Sequence, residues 1–390
     1  MPGEITIHQL FQTPTITGII SRIKTPLGLL QSFYNLQVGG SASQNQPGRN
    51  IGWDIFDSTR TMAQVRAPGT GPGTTAQKPV GHVSAQVMRL HEKIVLLQEY
   101  IARTRPPGSQ FGTLDGNGMQ YVRRQLTYGT RRFRNAREFM VSRMFRGGFG
   151  VKVSAGGDEW TLCETDTSGV TFTVDFQIPA ANKTYLELGS GADIITSPWS
   201  DPATQVMAQL YAINRAYERL HGWRLEHIWI NSTRLADLML NLEFQAVGGS
   251  AYRIFDSLTK REMSSEEGRP DTGFEVVFRA IPQFRFHVYD GVLSSLSPTT
   301  VDGTAEADVS RIIPDNNAIF TPEPSSEWVS LINGSEYIAE NVMDQGKEVY
   351  GFHNWTTRVI DPAGWELKLL DNCLPALFLP KAVAYGTINF

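Results

Sequence analysis

The chain has 390 residues, 41% of them hydrophobic and 19% charged, with eight Trp and a formal net charge of -4. That composition excludes a wholly disordered chain and supplies apolar side chains for two or three cores. The negative balance excludes nucleic-acid recognition by overall charge, and the sequence has no apolar run long enough to span a membrane.

The N-terminus, MPGEITIHQLFQTP, carries Glu4 early and lacks a basic start followed by an apolar core, so no secretory signal is expected. Residues 1–48 hold one short helical piece broken by Pro14 and Pro26. Leu27, Leu29, Leu30, Phe33 and Tyr34 need a partner surface, because the segment is too short to build its own core. It reads as an arm lying against something else. In residues 49–83, Ile51, Trp53 and Ile55 share one parity, which predicts a strand. The stretch VRAPGTGPGTTAQKPV follows, and KPVGHVSAQV returns. The glycines of that tip suggest a phosphate cradle. However, Gly69, Gly71 and Gly73 have the wrong spacing, and Lys78 is followed by Pro79 rather than Ser or Thr. Pro72 and Pro79 also remove N–H donors that a cradle would need. The segment is therefore expected to be a long two-stranded excursion.

Val87, Leu90, Ile94, Leu97 and Ile101 recur at spacings of three and four, which predicts a helix over 84–105, ended by Pro106-Pro107-Gly108. DGNGMQYV carries Asp115 and Asn117 like a calcium loop. Met119 and Leu126 occupy positions where oxygen ligands are required, so a turn is expected there. A second helix is predicted over 130–147, with Phe133, Ala136, Met140 and Met144 on one stripe and Gly147-Gly148 as its stop. VKVSAGGDEWTLC and GVTFTVDFQI alternate as the two strands of a hairpin around Asp166–Gly169. Asp201-Pro202 opens a helix whose stripe is Val206, Leu210, Ile213, Tyr217 and Leu220. LEHIWIN follows as a strand, and Asn231 or Ser232 caps the next helix, TRLADLMLN. Further strands, FEVVFRA, FRFHVYD and AIFTP, complete an α+β unit over roughly 200–325. YGFHNWTTRV, GWELKLLD and AVAYGTINF return the chain as strands at its end.

Catalytic chemistry is not visible. His91-Glu92 lacks the second histidine of H-E-x-x-H, and no G-x-S-x-G is present. His227 and His287 lie in strand patterns, as satisfied structural histidines would. Cys163 and Cys373 form no C-x-x-C, which points to a reduced, cytosolic chain. No catalytic residue, cofactor site or metal site is assigned. The local exception in charge runs from Arg103 to Arg146. It holds ten Arg and no Lys, against two acids, Asp115 and Glu138. Such clustering supports two readings equally: a phosphate-facing surface, and a solvated helix face making inter-subunit ion pairs.

The order of these parts resembles the major capsid proteins of tailed double-stranded DNA phages, in particular the lambda-like major capsid protein E family. FQTPTITGIISRIKTPLGLLQSFYNLQ is similar to that family's N-terminal arm. RFRNAREFMVSRMFRGGFGVKV resembles its spine helix entering a peripheral hairpin. DPATQVMAQLYAINR with LEHIWINSTRLADLMLN resembles the start of its axial domain, and CLPALFLPKAVAYGTINF its closing strand.

The resemblance implies an α+β tailed-phage capsid fold with five parts. They are an arm (1–48), an extended β-hairpin loop (49–83), a peripheral domain with the spine helix and hairpin (84–195), an axial domain (196–330), and strands returning to both domains (331–390). It implies a structural protein that self-assembles into an icosahedral head around phage DNA, in hexamers and pentamers. The head is assembled in the host cytoplasm and resides in the virion. Arm and loop residues Leu29, Leu30, Phe33, Trp53, Ile55, Phe56, Arg66 and Lys78 would make inter-subunit contacts. Arg123, Arg124, Arg131, Arg132, Arg134, Arg137, Arg143 and Arg146 would face packaged DNA, through sequence-independent phosphate contact, or an adjacent subunit. Because the arm begins near Met1, a separate scaffold protein is expected. A portal is a further partner, and a decoration protein a candidate one. No membrane is involved. Two alternatives are an encapsulin-like bacterial nanocompartment shell of the same fold and an unrecognised enzyme.

Overall fold

The computed structural model describes residues 16, 28–36, 41–56, 81–97, 116–158, 160–188, 191–248, 258–262, 273–294, 309–339, 346–360 and 363–390. The chain divides into two compact units. The first comprises 1–51, 85–140 and 331–375; the second comprises 52–84, 141–330 and 376–390.

The first unit contains a short helix, α1 (Leu29–Phe33), and most of a long one, α2 (Gly116–Met144). Its sheet is built from β1 (Ser43–Gln46), β4 (Met88–Leu97), β16 (Val329–Ile338), β17 (Lys347–Val359) and β18 (Gly364–Leu377). The strand order is β1-β16-β17-β18-β4. β1 runs parallel to β16, with Ser43 opposite Leu331. β4 runs antiparallel to β18 from Met88 opposite Cys373 to Leu97 opposite Gly364.

The helix expected over 84–105 is therefore wrong over its described part. A spacing of four satisfies both the helical period and the strand period, so Leu90 and Ile94 cannot discriminate. Arg89, His91, Lys93 and Val95 alternate on the exposed face, as a strand requires. The turn expected at DGNG is corrected too, since α2 already begins at Gly116. The weak helix formers there occupy only its first turn, where propensity costs least. A Cβ at Gly129, in mid-helix, would stand 2.6 Å from Ile94 Cδ1 and 3.0 Å from Leu369 Cδ1. The glycine lets the helix lie close on β4 and β18. Val122, Leu126 and Phe133 of α2 bury themselves there against Leu96, Leu367 and Leu369.

The second unit holds a sheet of seven strands: β8 (Lys183–Thr184), β9 (His227–Ile230), β10 (Leu258–Glu262), β11 (Gly273–Phe278), β12 (Arg285–Tyr289), β15 (Asn317–Thr321) and β19 (Ala384–Thr387). Their order is β10-β11-β12-β9-β15-β19-β8. Central β9 is buried throughout. It runs parallel to β12 and antiparallel to β15.

The helices of this unit are α3 (Val206–His221), α4 (Ser232–Leu240) and α5 (Leu242–Gly248). Val206, Leu210, Ile213 and Tyr217 of α3 join the core with Ile228, Ile230, Phe286 and Phe320 of the sheet. Leu220, assigned to the same stripe, stays exposed. α3 starts at Val206, later than Pro202, and ends on Gly222 in the left-handed region at φ 79°. Asn231 caps α4 by accepting from the Arg234 N–H at 2.9 Å.

The predicted two-strand hairpin is instead a three-stranded sheet. β5 (Gly148–Val153) lies between β6 (Trp160–Cys163) and β7 (Phe172–Asp175), antiparallel to both. Polar SAGGDE made the first stretch look like one long strand, but it contains the turn between β5 and β6. β2 (Asn50–Ile55) pairs with β3 (Gly81–Gln86) in a two-stranded sheet, and β13 (Val292–Ser294) pairs with β14 (Val309–Arg311).

Candidate assembly elements and their buried ion pairs

Leu29 and Leu30 were expected to be buried between chains, but both are buried within this one. The reason lies on α2. The buried Glu138 carboxylate accepts the Leu30 N–H at 2.8 Å and the Gln31 N–H at 3.2 Å. It also accepts the Gln31 side-chain amide at 2.9 Å. These are orphan donors at the start of α1, so a carboxylate from a distant segment does the work of a helix cap. Phe33 stays half-buried, edge-on to Tyr34.

Trp53 is likewise buried within the chain, donating from Nε1 to the Leu377 carbonyl at 3.1 Å and stacking on Phe176. Ile55 is half-buried and Phe56 is 51% exposed. Among the described arm and loop residues named above, Phe56 thus keeps the largest apolar surface for a neighbour. Arg66 and Lys78 lie outside the described residues.

The arginines separate by depth. Arg123 and Arg124 are exposed, and Arg131, Arg132 and Arg134 half-buried. Arg132 pairs with Glu92 at 3.0 Å. Arg137 and Arg143 were expected to face DNA or a neighbouring subunit. Their side chains are only 4% and 1% exposed, each paired inside its own unit. Arg137 makes two hydrogen bonds to the fully buried Asp371. Burial alone would lower the guanidinium pKa, but the Asp371 carboxylate outweighs it and the pKa rises. The same carboxylate lies 3.6 Å from Cys373 Sγ; burial, then that negative charge, pushes the thiol pKa up. Arg143 pairs with Glu164, and Arg146 reaches the same carboxylate at 3.0 Å while donating to the Tyr385 hydroxyl at 3.1 Å. Burial, with Arg146 alongside, lowers the Arg143 pKa to about 10, so it stays charged at neutral pH.

A further buried carboxylate, Glu336 on β16, received no role in the sequence analysis. It takes Arg89 through both oxygens, at 2.8 and 2.7 Å, and Arg49 at 3.0 Å. Asn372 donates to it at 3.0 Å. One side chain therefore ties β4, β18 and the residue before β2 together. Asp371, Glu164 and Glu336 escaped the sequence analysis because each is far in sequence from its arginine. Only the excess of arginine over acid signalled that such partners must exist.

The profile of the family described as phage major capsid protein E matches residues 13–388. The chain belongs to the phage major capsid protein E family. It is a shell protein of a phage capsid and not an enzyme, and its mixed α+β architecture is the tailed-phage capsid fold. A prophage capsid protein of E. coli CFT073 shares that fold with a TM-score of 0.51 and 12% identity, over 97% of this chain and 99% of its own. A phage-related protein of Bordetella bronchiseptica RB50 shares it with a TM-score of 0.50 and 8% identity, over 97% of each chain. No curated protein matches the capsid protein. No helix among its described residues is long and apolar enough to cross a membrane.

Two predictions follow for the capsid subunit. Arg137→Met leaves Asp371 as an unpaired buried charge and should cost ~3–5 kcal/mol in denaturant unfolding. Arg137→Met combined with Asp371→Leu should recover most of that loss. A double variant no better than the single one would contradict this account. The second prediction concerns Glu336. Burial pushes its carboxyl pKa up, but hydrogen bonds from Asn372 and Arg89, with the charges of Arg89 and Arg49, hold it below the reference value of 4.5. A depressed folded pKa contributes stability above the unfolded value, and this is lost as pH falls through the folded value. Glu336→Gln should therefore lower the melting temperature at pH 7, with the gap from wild type closing below pH 4.5. A gap constant with pH would remove Glu336 as the source.

Proposed function

We propose that the capsid protein assembles with copies of itself, as hexamers and pentamers, into the icosahedral head of a tailed double-stranded DNA phage. The family match over 13–388 carries this reading and favours a phage head over a nanocompartment. In it, residues 49–83 reach over a neighbouring subunit and residues 1–48 cross to others. The β2–β3 ladder supports the first assignment, because it forms a sheet of its own with Phe56 exposed where the chain leaves it. The loop tip, Pro68 to Gln77, lies outside the described residues. Its Gly, Pro and Thr suit a segment whose ordering cost falls due only when a partner arrives. Tyr337 and Ile360, near the ends of β16 and β17, are further exposed apolar side chains that a neighbour would cover. A separate scaffold protein, a portal and a decoration protein complete the proposed assembly in the host cytoplasm.

Arg123 and Arg124 are the α2 arginines proposed to meet packaged DNA, since Arg132, Arg137, Arg143 and Arg146 have acidic partners within the subunit. Contact with phosphates would be independent of sequence and sensitive to salt.

Deleting Pro68 to Gln77 should leave a folded subunit with its normal circular dichroism, while electron microscopy shows few or fragile shells. Normal particles of normal thermal stability would rule out the loop assignment. Arg123→Gln with Arg124→Gln should still give closed heads, but these should release DNA at lower salt than wild type. Identical retention across a salt series would remove these residues from the DNA-facing set.

A further inference from the structure

The interior of the seven-stranded sheet holds a polar group that shell architecture does not explain. His227 begins β9 with its side chain only 2% exposed. Its Nδ1 lies 2.6 Å from Nε2 of His287 on β12, and its Nε2 lies 2.9 Å from a carboxylate oxygen of Glu323. Glu226 precedes His227. The ligand atoms of Glu226, His227 and Glu323 all lie within 4.8 Å of one another.

The backbone holds the three in place. Glu226 donates its N–H to the Thr321 carbonyl at 3.1 Å, and its own carbonyl accepts from the Arg285 N–H at 2.8 Å. The indole of Trp328 donates to the Glu323 carbonyl at 3.0 Å, fixing the turn that carries the second carboxylate. Trp229 stacks on His287 at 4.5 Å between ring centres, fixing the plane of that imidazole.

We propose that Glu226, His227 and Glu323 form a binding site for a divalent transition metal, with His287 orienting the imidazole ligand. The donor set argues for the class of ion. One imidazole nitrogen with two carboxylates suits zinc and its first-row neighbours, whereas magnesium and calcium prefer oxygen alone. The His227–His287 contact argues independently for a metal. A ligating histidine characteristically donates its other ring N–H to a nearby acceptor, which sets tautomer and orientation. Nε2 of His287, 2.6 Å from His227 Nδ1, is placed to be that acceptor.

The His227–Glu323 distance fits with a small adjustment, and the remaining ligand atoms, within 4.8 Å, would close on the ion by up to ~1.4 Å. Two ligands on a tetrahedral zinc at ~2.1 Å are about 3.4 Å apart. Opening the 2.9 Å contact between His227 Nε2 and Glu323 needs a shift of only a few tenths of an ångström, and the Glu323 side chain, 64% exposed, is able to make it. Solvent supplies the remaining coordination. Sequence spacing could not show this site, because residue 323 joins 226 and 227 only through the pairing of β9 with β15.

The test is titration of the full chain, stripped with a chelator, with Co2+ and then Zn2+. Saturable one-to-one Co2+ binding with visible absorption bands, displaced by Zn2+ but not by excess Mg2+, is expected. Zn2+ should also raise the melting temperature. The double variant Glu226→Gln, Glu323→Gln alters two side chains that reach solvent and should keep its circular dichroism while losing the saturable Co2+ signal. Absence of saturable binding in the wild type would overturn the proposal, and so would undiminished binding in the folded double variant. Neither result bears on shell assembly, which is read separately by electron microscopy.

Discussion

The first unit depends on a buried charge that cannot be left alone. Arg137 and Asp371 are both removed from water, and each makes the other tolerable. A pair of this kind adds little net stability relative to well-packed apolar side chains, but removing one partner is costly. What it supplies is registry: α2 meets β18 in the arrangement that brings guanidinium and carboxylate together. Glu138, the next residue, points to another side of the helix and takes the backbone of α1. Two adjacent residues of one helix thus fix a sheet strand and the arm segment, and Glu336 repeats the device on Arg49 and Arg89.

This use of arginine changes the meaning of the charge cluster. A local excess of arginine invites a nucleic-acid interpretation. Four of those arginines, Arg132, Arg137, Arg143 and Arg146, are however answered inside the subunit by acids from other parts of the chain. Among the described arginines of the cluster, the exposed ones are Arg123 and Arg124, and these are the pair proposed for phosphate. A capsid lining that binds DNA weakly and without sequence preference needs no more than scattered cations of this sort.

Much of the fold was legible where a single period dominated. The stripe of α3 from Val206 to Tyr217 and the cap at Asn231 were visible, because helix periodicity and capping are local. Five strands of the seven-stranded sheet, β9, β11, β12, β15 and β19, were visible as apolar runs, whereas β8 and β10 were not. Legibility failed where two patterns coincided, as along Val87–Leu97. It failed again where a tertiary contact excused a poor local choice, as at Gly129. The assembly residues were legible as apolar side chains in a segment without its own core, but the surface they would meet was not. Leu29, Leu30 and Trp53 found that surface within the subunit, through partners at 138 and 377 that no local pattern announces.

The parallel pairing of β1 with β16 has a consequence in time. It joins residues 43–46 to 331–334, and Asp371 must reach back to Arg137. A nascent chain on the ribosome therefore cannot complete the first unit until residue 375 has been made. Until then Val122, Leu126 and Phe133 of α2 stand without Leu367 and Leu369. Long-range closure of this kind is slow and carries a loop-entropy cost. It also sets an order: a product truncated before residue 331 lacks β17, β18 and nearly all of β16, three of the five strands of this sheet.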